Sequence, residues 1–272
     1  MKNMLRNARD YRFGLIVLCL ILEATFLPKT AGANAVPAVV PVRAANADTV
    51  LQPGDIMFKL IGEKSPATSW GIAVGDSVVK DLHGKFSSAA AKGDAKAIHV
   101  VIYVGNGQFA EAHGGDGHNV TVRSMDHHAG FLFYVYRASD VATAQSAALV
   151  ASRWANGRMK YKNPLYVPFR SSSYGPFAKK DALRYGKDAH RAGGPSKDDA
   201  MFCSEFVIAA YQAAIVDKQL AQKPKLDSGD IRMPHAMQLD ASNASPLVLN
   251  GKISEGITKG EWRNLGLVVV QK

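Results

Sequence analysis

Ile98-His99-Val100-Val101-Ile102-Tyr103-Val104-Gly105-Asn106-Gly107-Gln108-Phe109-Ala110-Glu111-Ala112-His113-Gly114 reads as a β-hairpin, with β-branched and aromatic residues on either side of a Gly-Asn-Gly turn. Its register decides which side chains meet. A three-residue loop, Gly105 to Gly107, sets Val101 opposite Glu111 and places His99 diagonally from Glu111 on the same sheet face. A two-residue loop turns the carboxylate to the other face. In the three-residue register His113 lies opposite His99 and is a second group able to orient it.

Working outward, Val120-Thr121-Val122-Arg123 and the run from Gly130 to Arg137 continue as strands, giving an antiparallel sheet of at least four. Upstream, Pro53-Gly54-Asp55 is a turn feeding the short apolar strand Ile56-Met57-Phe58. Residues 60 to 97 lack a clear period and read as loops. Ser139 or Asp140 caps a helix from Val141 to Asn156, with Val141, Ala144, Ala148, Ala151 and Ala155 on one face and Gly157 as its stop. Residues 158 to 197 form a long, basic, aromatic insertion broken by Pro164, Pro168, Pro176 and Pro195, which reads as a loop. Leu265 to Val270 is strand-like.

A second apolar helix carries the chemistry. In Met201-Phe202-Cys203-Ser204-Glu205-Phe206-Val207-Ile208-Ala209-Ala210-Tyr211, Phe206, Val207, Ala210 and Ala214 follow Cys203 at the three-and-four spacing of one buried helix stripe. Ser196, Asp198 or Asp199 can cap the start, which puts Cys203 in the first turn. There the unpaired N–H groups and the helix dipole favour a thiolate. The plain alternative is a buried structural cysteine.

The 272 residues, 47% hydrophobic and 21% charged, have the composition of a globular protein with one catalytic-sized domain. Residues 1 to 33 have the layout of a secretory signal peptide: a basic start, the apolar run from Phe13 to Leu22, then small residues around Ala31 to Ala35. Residues 34 to 49, rich in Ala and Pro, read as a linker, and 50 to 272 as the folded domain. The signal peptide holds Lys2, Arg6, Arg9, Arg12 and Lys29 against Asp10 and Glu23, so removing its +3 from the net +10 leaves +7. That excess suits anionic envelope polymers or lipid head groups, and no zinc-finger, RNA-binding or basic-zipper pattern points to nucleic acid. Cleavage also removes Cys19. Cys203 is then the one thiol of a secreted or periplasmic chain, with no partner for an internal disulfide.

A lone cysteine at a helix start, a histidine at a strand start and a carboxylate twelve positions beyond it are the parts of a thiol hydrolase. In that reading Cys203 attacks, His99 carries the proton, Glu111 fixes the imidazole tautomer, and the Cys203 backbone N–H is one donor to the oxyanion. Glu205 reads as a helix-start carboxylate pointing away from the thiol. His113, Asp116, His118, His127 and His128 have the residue types of a metal cluster, but their irregular Gly-rich spacing reads as solvated loop histidines. No cofactor or metal is implied.

On Pro53-Gly54-Asp55-Ile56, His99-Val100-Val101-Ile102-Tyr103-Val104-Gly105, Phe109-Ala110-Glu111-Ala112 and Phe202-Cys203-Ser204-Glu205-Phe206-Val207, residues 51 to about 245 resemble the YiiX-like permuted papain-fold amidases, circularly permuted relatives of the NlpC peptidases. The order His, carboxylate, Cys is the family's and reverses that of papain. The resemblance implies an α+β fold of circularly permuted papain-like type, with an antiparallel sheet packed against the helix carrying the nucleophilic cysteine. It also implies amidase or peptidase activity on small or cell-wall peptides through Cys203, His99 and Glu111. Two alternatives stand beside it. One is an acyl hydrolase or acyltransferase acting on anionic lipid, as in permuted folds resembling lecithin:retinol acyltransferase; the other is a non-catalytic envelope-binding protein. Oligomeric state is not legible.

Overall fold

The computed structural model describes residues 39–60, 97–113, 119–157, 159–162, 173–195 and 200–272. The expected signal peptide at 1–33, nearly all of the stretch 60–97 expected as loops, and the central part of the basic insertion lie outside these residues. Among the described residues no helix is long and apolar enough to cross a membrane.

The fold is α+β. A seven-stranded sheet runs in the order β1 (Val39–Val42), β9 (Trp262–Val270), β6 (Leu132–Ala138), β2 (Ile56–Leu60), β3 (Ala97–Gly105), β4 (Gln108–Ala112) and β5 (Val120–Ser124). Neighbours are antiparallel except β1, which lies parallel to β9. A separate parallel pair joins β7 (Lys160–Tyr161) to β8 (Ala200–Met201). The sheet therefore begins earlier than Val50: residues expected as linker supply β1, and Ala44–Thr49 form a 3-10 turn with Ala47 buried.

Alternation along the strands sorts the apolar residues into two cores. Ile56, Phe58, Val100, Ile102 and Ala110 point to the face that carries the helices. Met57, Val101, Tyr103, Phe109, Phe133 and Val135 form a second core with Val42, Ala47 and Leu51. Each fully buried Val or Phe contributes roughly 1.5–3 kcal/mol, so both faces stabilise the sheet.

The described residues also form the helices α1 (Val141–Asn156), α2 (Pro176–Lys187), α3 (Cys203–Gln222) and α4 (Pro246–Thr258), interspersed with β7, β8 and β9. Helix α1 has its expected bounds, with the Asp140 side chain accepting from the Thr143 N–H at 3.1 Å. Helix α2 corrects the expectation of a loop in the insertion. Pro176 stands at its first turn, where the missing N–H costs nothing, and Ala178, Ala182, Tyr185 and Gly186 are buried.

Helix α3 departs from a single stripe, because every residue from Cys203 to Val216 is buried. It packs against α1, α2 and strands β3 and β4, which leaves no solvent face over its first fourteen positions. The Pro53-Gly54-Asp55 turn anchors it. Gly54 has φ +96°, and a Cβ there would lie 2.3 Å from the Ala144 carbonyl oxygen. The Tyr211 hydroxyl donates to the Gly54 carbonyl. Buried Asp55 accepts from Arg137 Nε at 2.8 Å and Nη2 at 2.6 Å.

Candidate active site

The hairpin between β3 and β4 resolves the register question in an unexpected way. Its turn is two residues, Asn106 and Gly107, both with positive φ (54° and 65°), between the paired Gly105 and Gln108. A bulge between Tyr103 and Gly105 then shifts the ladder by one residue, so Tyr103 pairs with Phe109 and Ile102 with Ala110. Continuing that register sets Val101 opposite Glu111. The three-residue register is thus reached by a two-residue turn plus a bulge, and His99 and Glu111 share a face.

They also touch. His99 Nε2 lies 2.7 Å from Glu111 Oε2, and Cys203 is close enough to the same imidazole to stabilise its protonated form. With Nε2 engaged by the carboxylate, Nδ1 is the nitrogen left for the sulfur. Cys203, a free thiol 7% exposed, is the first residue of α3. The structure therefore brings all three sequence-predicted residues, Cys203, His99 and Glu111, into one connected group.

The cap of α3 differs from expectation. Residues 200 and 201 form β8, so Ser196, Asp198 and Asp199 precede a strand rather than the helix. The capping carboxylate belongs to Glu205, which receives the Phe202 N–H at 3.4 Å and the Lys162 ammonium at 2.8 Å. Lys162 lies 5.4 Å over the Phe202 ring. Glu205 thus acts on the backbone before Cys203, as its position in the first turn implies. The first-turn N–H groups have no intrahelical acceptor and face the anionic end of any ligand placed there.

Burial alone pushes the His99 imidazole down, but interactions with Cys203 and Glu111 outweigh it and raise the pKa to about 9. Burial likewise opposes ionisation of Glu111, yet the hydrogen bonds from His128 and His99 hold it far below the usual carboxylate range. At neutral pH the pair is a carboxylate and an imidazolium.

Sequence reasoning missed two members of the site. His128, in a 3-10 turn at Met125–His128, is 3% exposed and places Nε2 3.1 Å from Glu111 Oε2. Its ring stacks on Phe109 with centroids 4.9 Å apart. It is not a solvated loop histidine; only its contact with the hairpin, invisible in local spacing, could have shown that. Tyr161 on β7 lies within electrostatic reach of Cys203, and burial together with the thiol raises its phenol above the usual value. His113 stands edge-on to His99 at 5.7 Å between centroids. Asp116 and His118 lie outside the described residues.

His99, Glu111 and His128 also offer ligand atoms within 4.8 Å of one another, a spacing that suits a metal ion. The surroundings do not. Lys59 Nζ lies 3.3 Å from His128 Nδ1, and Arg123 Nε lies 3.5 Å from Glu111 Oε1, so two cations already flank the carboxylate. The donor set fits a network of shared protons better than a cation.

Comparison with protein-family models, curated proteins and solved structures finds no match.

Proposed function

We propose that this chain is a secreted or periplasmic thiol amidase/peptidase of circularly permuted papain-like type, hydrolysing amide bonds of small or cell-wall peptides. The observation that carries the reading is the buried His99 imidazole held 2.7 Å from the Glu111 carboxylate and interacting with Cys203, which raises its proton affinity. A merely structural cysteine has no need of a buried, carboxylate-oriented imidazole. The resemblance of the Cys203 helix and the His99–Glu111 hairpin to the YiiX-like amidases supports the same chemistry.

The reaction follows from the roles. The Cys203 thiolate attacks the amide carbonyl carbon while the imidazolium holds the proton. Backbone N–H groups at the start of α3 stabilise the oxyanion. Collapse of the tetrahedral intermediate breaks the C–N bond, and the amine leaves with the proton from His99. Water, deprotonated by His99, then attacks the thioester, releasing a carboxylic acid and restoring the thiol. Glu111 stays ionised throughout and stabilises the charged imidazole.

A second reading, acyl hydrolysis on anionic lipid, draws on α2, where Phe177 is 80% exposed beside Lys179 and Lys180. One experiment separates the two. The protein is incubated with peptidoglycan fragments and with phospholipid vesicles, with Cys203→Ala as the control and products read by mass spectrometry. Cysteine-dependent release of a peptide or amino acid is the expected result. Cysteine-dependent release of fatty acid alone supports the lipid reading, and no cleavage of either supports a binding protein.

A further inference from the structure

We propose that Lys59 and His128 are positioning residues that hold Glu111 in place, extending the catalytic group into a five-member chain: Lys59, His128, Glu111, His99, Cys203. The inference rests on the thiol-hydrolase reading and assigns work to two side chains that the triad leaves unused.

The geometry fixes the direction of each hydrogen bond. An ionised carboxylate only accepts, so the His128 Nε2 that lies 3.1 Å from Glu111 Oε2 must donate. Its other nitrogen, Nδ1, faces the Lys59 ammonium at 3.3 Å and must accept. His128 is therefore the neutral Nε2–H tautomer, selected by the Lys59 ammonium at Nδ1. Both imidazoles donate to the same oxygen, Oε2, whereas Oε1 accepts no hydrogen bond from the described residues. Without His128, the carboxylate keeps, among the described residues, His99 and a 3.5 Å ion pair with Arg123, whose Nε donates to Thr121 Oγ1 at 3.0 Å.

The wall around His128 suits a fixed ring. Phe109, Phe131 and Phe133 surround it, and Lys59 lies 3.3 Å over the Phe131 ring. The charged or titratable groups facing it are Lys59 on β2, His99 on β3, Glu111 on β4 and its own neighbour His127. Burial pushes His128 down to about 4 and Lys59 down to about 8, which agrees with a neutral ring beside an ammonium over the range in which a thiol hydrolase works.

The test needs no substrate. Alkylation of Cys203 by iodoacetamide is followed from pH 5 to 10 in the full chain, with melting curves at pH 7.5 checking that each variant is folded. His128→Phe keeps the stacked ring and removes the donor. It is expected to slow labelling at pH 6 by about tenfold, the kinetic worth of one hydrogen bond to a charge, and to move the profile toward that of a free thiol. Lys59→Met is expected to shift the profile the same way by a smaller amount. His128→Gln, whose amide nitrogen can take the place of Nε2, is expected to stay within about threefold of wild type.

A folded His128→Phe with the wild-type profile overturns the inference. Should His128→Phe fail to fold, His128→Asn decides: its side chain is polar but too short to reach Glu111, so a wild-type profile there is equally fatal. The underlying reading fails separately. If wild type and His99→Ala both label along an unperturbed thiol titration, Cys203 is not an activated nucleophile at all.

Discussion

His99 gains proton affinity on folding and His128 loses it, so the two imidazoles push the pH dependence of stability in opposite directions. The His99 pKa rises from 6.5 to about 9, so its stabilisation is fully present below pH 6.5 and is lost as pH rises through 9. His128 falls from 6.5 to about 4, so between those values the unfolded chain binds a proton that the folded chain refuses, and stability drops as pH falls from 6.5 toward 4. Lys59 titrates at about 8, outside the acid limb. Glu111, held far below its ordinary value of 4.5, adds its own loss of stability toward pH 4.5, a loss that wild type and His128→Gln share and that cancels in the difference between them. Thermal melts from pH 7 to 4.5 should therefore show wild type losing up to about 3 kcal/mol more than His128→Gln. Parallel pH curves for the two proteins would mean that His128 is not held neutral. At this scale the sequence was partly legible. A period of two put His99 and Glu111 on one face in only one of two possible hairpin registers, and the bulge that selects it left no mark in the sequence. A helix start marked Cys203, but His128 is brought in by a turn folding back on the hairpin.

Helix α2 lies against α3 at Gly186, where a Cβ would meet Val216 Cγ1 at 2.3 Å and Cβ at 2.6 Å. Helix propensity favours alanine over glycine by about 1 kcal/mol, whereas forcing a methyl into a closed contact costs about 1–3 kcal/mol. The packing penalty should win. Gly186→Ala is expected to lower the urea midpoint, and adding Val216→Ala should recover part of the loss. A raised midpoint in the single variant would show that the two helices can separate at little cost. The elements that were legible, such as α1 and the β3–β4 hairpin, announce themselves by unbroken apolar periodicity between a cap and a stop. Helices α2 and α4 escaped because each opens on a proline, Pro176 and Pro246, which marks a break in a loop and a first turn equally well. The full burial of α3 was equally hidden, since a stripe of Phe206, Val207 and Ala210 looks the same whether or not a second layer covers the back of the helix.

At the scale of the whole molecule, residues 39–49 connect the far edge of the sheet to the site. Strand β1 closes the β9 edge, and Val42 and Ala47 join the second core. Asp48 then reaches the hairpin, accepting from the Tyr103 hydroxyl at 2.6 Å and from the Asn106 N–H at 3.1 Å. The Tyr103 oxygen in turn accepts the Gly107 N–H at 2.9 Å. This clamp grips the two-residue turn and its bulge, the features that set Val101 opposite Glu111 and so place the carboxylate beside His99. Composition alone reads 34–49 as a linker, because an Ala- and Pro-rich stretch shows no period from which a four-residue parallel strand can be recognised. A chain beginning at Val50 should therefore be less stable than one beginning at Ala38 by at least about 3 kcal/mol, the burial of one valine plus a charged hydrogen bond. Its Cys203 should also react with iodoacetamide more as an ordinary thiol does, because the hairpin register would be less firmly held. Asp48→Asn separates the two effects: it keeps β1 and weakens the clamp, so it should disturb the alkylation profile more than the urea midpoint. Equal midpoints and equal profiles for the two chain lengths would make residues 39–49 an appendage, and the register would then have to be set by the bulge alone.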